Sequence, residues 1–132
     1  MALARGPAWP HIGFIEMKPS TNDSLLYYQR KLAGELEREA PEGVSRKSGR
    51  LEGDHMGLEP KLKYKLWQID SLLFAIDELL AGRAICAFRG IVQASGYAGK
   101  LEGMGAQPYN TTLSDAFSTI KNAIEDAIGG AR

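Results

Sequence analysis

The side chains best suited to a binding chemistry are basic residues concentrated between positions 46 and 65. They are Arg46, Lys47, Arg50, Lys61, Lys63 and Lys65. Two aromatic residues, Tyr64 and Trp67, lie at the end of this stretch. Because basic side chains contact phosphates and aromatic rings stack on bases, the combination predicts binding of single-stranded or structured DNA or RNA. Nearby carboxylates, and the spread of the three lysines around a helix, leave a solvated helix start as the simpler alternative.

Other residues with catalytic or metal-binding potential lack the spacing that their chemistry needs. Asp70 and Asp77 would lie roughly 10 Å apart along a helix, which is too far for one metal ion. We therefore expect them to be solubilising or to pair with Lys121 and Arg89. His11, His55 and Cys86 show no paired metal-ligand spacing, and no serine or glycine motif indicates a nucleophile or a phosphate loop. We therefore predict no metal site, no cofactor and no catalytic residue.

Composition is that of an ordinary globular protein. The 132 residues include 16 basic and 16 acidic ones, so no net charge draws the chain toward nucleic acid or a membrane. A chain of this length is expected to form a single domain over 1–132. One cysteine excludes an internal disulfide, and no apolar stretch approaches the roughly 20 residues that span a bilayer. These features predict a cytoplasmic protein without a membrane partner.

The most regular stretch of the sequence predicts a central helix over about 60–81. Apolar residues alternate in steps of four and three, which is the a/d seam of a helix packed lengthwise on others. This seam consists of Leu62, Leu66, Ile69, Leu73, Ile76 and Leu80. Pro60 suits the first turn and Gly82 the position after the last. Leu72 and Leu79 widen the seam, so the helix is expected to lie between neighbours.

Further helices are expected on both sides of this one. A first helix should begin near Ser20 and end before Pro41, and a last one should begin near Thr112. Residues 1–20 predict an extended arm, in which Phe14 and Ile15 dock either on the chain's own core or on a second copy.

The remaining stretches give weaker predictions. Glycine and polar residues predict loops at 41–57 and 96–110, with a turn at Ser48-Gly49 in the first. The run 84–94 fits a helix or a buried strand; its alanines favour the helix, with Ile85, Phe88 and Val92 on one face.

Short strings recur at offsets of about 50 residues, which suggests an internal duplication as a further hypothesis. One example is the string at residues 49–53, GRLEG, which resembles GKLEG at residues 99–103.

The sequence thus predicts a mainly α protein of three to four helices packed along a/d seams around the central helix. The leading functional hypothesis is a small helical interaction or adaptor protein, self-associating as a homo-oligomer, that acts in a regulatory way by binding a macromolecular partner such as a protein. Its candidate partner surface is the central seam together with Phe14 and Ile15. The nucleic-acid binder is the second hypothesis. The third is a small enzyme at the glycine-rich loops, near His55, Glu52 and Glu102.

Overall fold

A computed structural model describes residues 19–130 and the side chains of 21–129. The elements in chain order are α1 (Pro19–Glu39), β1 (Ser45–Lys47), β2 (Arg50–Glu52), α2 (Pro60–Leu80), α3 (Ala84–Gly103) and α4 (Thr111–Gly130). The described part is mainly helical, as predicted, and contains four helices. The arm residues Phe14 and Ile15 lie outside the described residues, and α1 begins at Pro19, within the range predicted as arm.

Helix α2 has the bounds and the central position that the seam predicts. The Glu59 carboxylate accepts hydrogen bonds from the backbone N–H groups of Lys61 and Leu62, each at 3.1 Å, and Pro60 occupies the first turn. These contacts satisfy N–H groups that have no partner inside the helix. At the other end Gly82 has a φ of 82°, which favours glycine, and its N–H donates to the carbonyl of Leu79.

The core is built around α2, which contacts α1, α3, α4 and β2. Leucine, isoleucine and alanine side chains from all four helices join it, with Val44 added from the loop after α1. Four large side chains of α1 and α4 are fully buried in it, namely Leu25, Leu32, Leu113 and Ile120. A helix apolar on two sides therefore lies between neighbours, as its pattern predicts.

The prediction of a loop over 96–110 is wrong for its first half. Residues 84–103 form one continuous helix, so 84–94 is helix and not strand, and the connection to α4 is confined to 104–110. Glycine is a poor helix former, but Ala94, Ala98 and Leu101 on the inner side of α3 are buried. Tertiary packing of this face stabilises the helix through Gly96 and Gly99.

The predicted loop over 41–57 contains a small hairpin, which the prediction missed. Strands β1 and β2 pair antiparallel, with Arg46 opposite Leu51. The Ser48-Gly49 turn has φ values of 54° and 79°, as expected for a two-residue hairpin turn of this kind.

The hairpin also bears on the duplication hypothesis. Residues 49–53 form part of the hairpin, whereas the similar residues 99–103 are helical. The two strings therefore adopt unrelated backbones, which contradicts the internal duplication for this pair.

Across the described range 19–130, none of the helices combines the length and the apolar character needed to cross a bilayer.

Candidate functional site

The central seam lies inside the fold of one chain. Leu66, Ile69, Leu73 and Ile76 are at most 2% exposed, and Leu62 and Leu80 are partly buried against the same core. A partner could reach these side chains only by opening the helical core. The seam thus holds the helices of one chain together, and a surface for a second molecule has to be sought elsewhere.

Two of the six candidate basic residues are engaged by carboxylates. The Arg46 guanidinium reaches from β1 to α2, with Nε 2.7 Å from Asp70 Oδ1 and Nη2 3.3 Å from Asp77 Oδ2. Asp77 also accepts a hydrogen bond from the Gln29 amide of α1. The two aspartates are thus ion-paired, but their partner is Arg46. The predicted partners, Lys121 and Arg89, are wrong.

Lys65 is the second engaged cation. Its Nζ atom lies 3.4 Å from Glu39 Oε2 and 3.7 Å from Glu35 Oε2, both on α1. The buried Glu35 carboxylate also accepts a hydrogen bond from the Asn110 amide. Arg46 and Lys65 thus connect elements of the fold, which reduces the charge that they offer to a phosphate backbone.

The other candidate basic residues remain near the surface. Lys47, Arg50 and Lys61 are exposed, and Lys63 is half-buried beside the aromatic residues. Lys63 Nζ lies 5.4 Å from the centre of the Tyr64 ring and 5.2 Å from that of Trp67, within the range of a cation–π contact.

An aromatic cluster forms between α2, α3 and the loop before α2. The Trp67 ring centre lies 5.6 Å from that of Tyr64 and 5.5 Å from that of Tyr97 on α3. The Trp67 indole N–H donates a 3.0 Å hydrogen bond to His55 Nδ1. The two rings predicted to stack on bases are thus packed together and half-buried, and they fasten the loop to both helices.

Burial in this cluster raises the pKa of Tyr97, and the nearby Asp70 and Tyr64 raise it further. Burial likewise raises the pKa of Tyr109, while hydrogen bonds with Ser95 and Gln68 oppose this shift.

The residues of the enzyme hypothesis are not joined in one site. No hydrogen bond or ion pair within residues 19–130 links His55, Glu52 and Glu102, and His55 Nδ1 is already occupied by Trp67. In the same range there is no group of three or more side chains arranged to hold a metal ion. The structure therefore shows no direct contact among the three residues named in the enzyme hypothesis.

Among the side chains described for residues 21–129, three large and strongly exposed apolar ones lie on the outer face of α3. Ile85 is 74% exposed, Phe88 55% and Val92 53%. Their spacing of three and four residues places them on one side of the helix. The sequence predicts that these three residues share one face of a helix, but not that this face points away from the core.

Helix α3 also buries Ile91 and Leu101, but it carries small residues where it approaches α2 most closely. A Cβ atom added to Gly90 would lie 2.7 Å from the carbonyl oxygen of Ser71 and 2.9 Å from the Cβ of Ala75, both on α2. Gly90 and the neighbouring Ala87 and Ala94 are buried at this contact. The backbones of α2 and α3 approach too closely there for an isoleucine or phenylalanine.

The C-terminal half of the same outer face carries no large side chain. Gly96, Gly99 and Gly103 are exposed, and a Cβ atom added to any of them would meet nothing within 4 Å. We call the whole strip the outer face of α3, with a bulky half (Ile85, Phe88, Val92) and a glycine half (Gly96, Gly99, Gly103). The glycine half was not predicted, because residues 96–103 were expected to form a loop. The small residues Ala84, Ala87, Gly90, Ala94 and Ala98 were the signal in the sequence that could have indicated a closely packed helix.

The N-terminal end of α3 is held by an ion pair across its turn from α2. The Arg83 guanidinium donates to Glu78 Oε1 at 2.8 Å and to Oε2 at 3.1 Å. This contact lowers the pKa of Glu78 and raises that of Arg83. The ion pair thus holds the start of α3, and with it the first residue of the bulky half, next to the end of α2.

Comparisons of this chain with protein-family models, with curated proteins and with solved structures found no significant match.

Proposed function

We propose that this protein is a small helical interaction protein that acts by binding macromolecules, and that its first partner is a second copy of itself. The observation that carries the proposal is the outer face of α3. Scattered surface apolar residues need no explanation, but three large ones in a row on one helix favour an interface. The fold buries four of the six seam residues of α2 and partly buries the other two, Leu62 and Leu80, so the outer face of α3 is the better candidate for a partner. A cytoplasmic location is part of the same proposal.

The size of the face sets the expected strength of association. A helix of 20 residues is about 30 Å long and about 10 Å wide, so a pair would cover about 300 Å² on each copy. Stable complexes bury about 800 Å² on each partner. The self-association should therefore be reversible and depend on concentration, with dissociation in the micromolar to millimolar range.

Sedimentation equilibrium over a wide range of protein concentration tests the proposal. We expect the mass to rise from the 14.4 kDa of one chain toward twice that value, and the variant Phe88→Asp to stay monomeric. Tyr27→Asp is the matched control, because Tyr27 is a 47% exposed aromatic residue on α1, away from the face. A wild-type chain that remains monomeric at millimolar concentration would overturn the proposal.

Nucleic-acid binding is a second candidate. It is supported by the exposed Lys47, Arg50 and Lys61, and by Lys63, which lies over the rings of Tyr64 and Trp67. The pairing of Arg46 and Lys65 with carboxylates leaves this surface with fewer free charges than the sequence suggests. An anisotropy titration with single-stranded and hairpin RNA at two salt concentrations distinguishes the candidates, since phosphate contacts weaken steeply with salt. The absence of binding at low salt would exclude the second candidate.

A further inference from the structure

The two halves of the outer face of α3 match each other in spacing. Ile85 and Val92 are seven residues apart, and so are Gly96 and Gly103. A two-fold axis midway between Val92 and Gly96 would therefore place Val92 of one copy over Gly96 of the other, and Ile85 over Gly103. Phe88 would lie close to Gly99. Each large side chain would then meet a glycine.

We infer that the second copy docks on this face antiparallel, with the bulky half of each α3 seated on the glycine half of the other. This inference rests on the proposed self-association and specifies its geometry. Packed helices keep an interaxial distance of about 8–10 Å, which large side chains opposite glycines can fill evenly. A parallel pair would set Phe88 against Phe88 and leave a gap between the two glycine halves.

A closed two-fold pair of this kind uses the whole face on both copies. The contact is isologous, which means that both copies use the same surface. The bulky half of each copy packs on the glycine half of the other. Association consequently stops at the dimer. The open space above Gly96, Gly99 and Gly103 is the feature that selects this partner, because any side chain there would hold the copies apart.

The charges beside the face distinguish the two orientations. Helical geometry places Arg89 and Lys100 on one flank, and Ser95 and Glu102 on the other. All four residues are exposed. An antiparallel pair brings equal flanks together, so Arg89 of one copy faces Lys100 of the other. Salt should then strengthen the antiparallel dimer by screening this repulsion, whereas it should weaken a parallel pair that sets Lys100 beside Glu102.

Mixing two single-cysteine variants tests the orientation directly. In a Cys86→Ala background, Ile85→Cys and Gly103→Cys are oxidised separately and together. Residues 85 and 103 are separated by roughly 27 Å along the helix, whereas a disulfide needs Cα atoms within about 7 Å. We expect a crosslinked heterodimer in the mixture and little crosslinking of either variant alone. Efficient crosslinking of Ile85→Cys with itself would overturn the antiparallel geometry while leaving self-association intact.

Filling the glycine half provides the second test. Gly99→Leu should reduce the association constant at least tenfold, because the leucine occupies the space for Phe88. The thermal midpoint of the monomer should stay equal or rise, since the site is open and leucine is the better helix former. Ser118→Leu, at an exposed site on α4, is the matched control and should leave association unchanged. If Gly99→Leu dimerises as well as the wild type, the glycine half does not receive the partner and the inference fails.

Discussion

Helices α2 and α3 are neighbours in sequence, have 21 and 20 residues and pack against each other, yet they bury opposite kinds of side chain. Helix α2 buries its leucines and isoleucines on several sides. Helix α3 buries mainly small residues and exposes Ile85, Phe88 and Val92. The difference shows that a stripe of apolar residues on a helix does not by itself identify the face that is buried within the chain.

The largest expected effect comes from truncating an isoleucine in each of the two helices and comparing the losses of stability. Ile76→Ala should lower the free energy of unfolding by about 2–5 kcal/mol, because it opens a cavity in the core. Ile85→Ala should change it by no more than about 0.5 kcal/mol, because Ile85 is on the surface. Urea unfolding at concentrations where the chain is monomeric measures both. Equal losses would mean that the bulky half is covered within one chain.

A second test compares the inner and outer glycines of α3. Gly90→Ala should destabilise the chain by about 1–3 kcal/mol, because its Cβ would overlap the Ser71 carbonyl and force the helices apart. Gly96→Ala should stabilise it by up to about 1 kcal/mol, since alanine is the better helix former and the site is open. The midpoints of urea unfolding should therefore shift in opposite directions, and shifts of the same sign would contradict the close approach at Gly90.

Removing the ion pairs between the hairpin and α2 should have a smaller effect on stability. Arg46→Met removes the hydrogen-bonded partner of Asp70 and Asp77, and should lower the free energy of unfolding by about 1–2 kcal/mol. Lys47→Met, the next residue along β1, is exposed and should have almost no effect. Thermal unfolding of the two variants provides the measurement. Similar midpoints for both would show that the contact of the hairpin with α2 does not contribute to stability.

The smallest expected effect concerns Tyr97, where α3 meets the aromatic cluster of α2. Its pKa is raised from 10.0 in the fold, so at alkaline pH the unfolded chain loses this proton first. The contribution of the neutral Tyr97 to the free energy of unfolding is therefore fully present below pH 10. It is lost as the pH rises through the raised pKa of the folded state. Tyr97→Phe should therefore lose less stability than the wild type between pH 9 and 11 in urea titrations. Parallel losses in the two chains would contradict the burial of the hydroxyl.

The sequence predicts the fold correctly where the large apolar residues are also the buried ones. In α2 the large apolar residues are also the buried ones, so the seam locates both the helix and the core. In α3 this relation is reversed around Gly90, where the helix approaches α2 closely, although Ile91 and Leu101 are still buried. A pattern that counts only apolar character cannot detect the reversal, because it depends on the distance to another helix.

The partners of Arg46 and the helical state of residues 96–103 could not be predicted from the sequence, because both depend on contacts with other elements of the fold. Arg46 pairs with residues 24 and 31 positions away, and a short polar strand such as β1 has no periodicity that indicates where its side chains point. The loop prediction for residues 96–103 followed the local preference of glycine, which packing on α2 overrides. In both places the outcome depends on tertiary contacts and not on neighbouring residues.

The close approach at Gly90 also bears on the order in which the chain folds. Helices α2 and α3 are joined by the short turn at Ala81–Arg83, so their contact forms between segments that are near in sequence and has a low entropic cost of loop closure. We expect this hairpin of helices to be the folding nucleus, onto which α1 and α4 condense later. Its amides should exchange with solvent most slowly, and Ala75→Gly should slow folding more than it speeds unfolding.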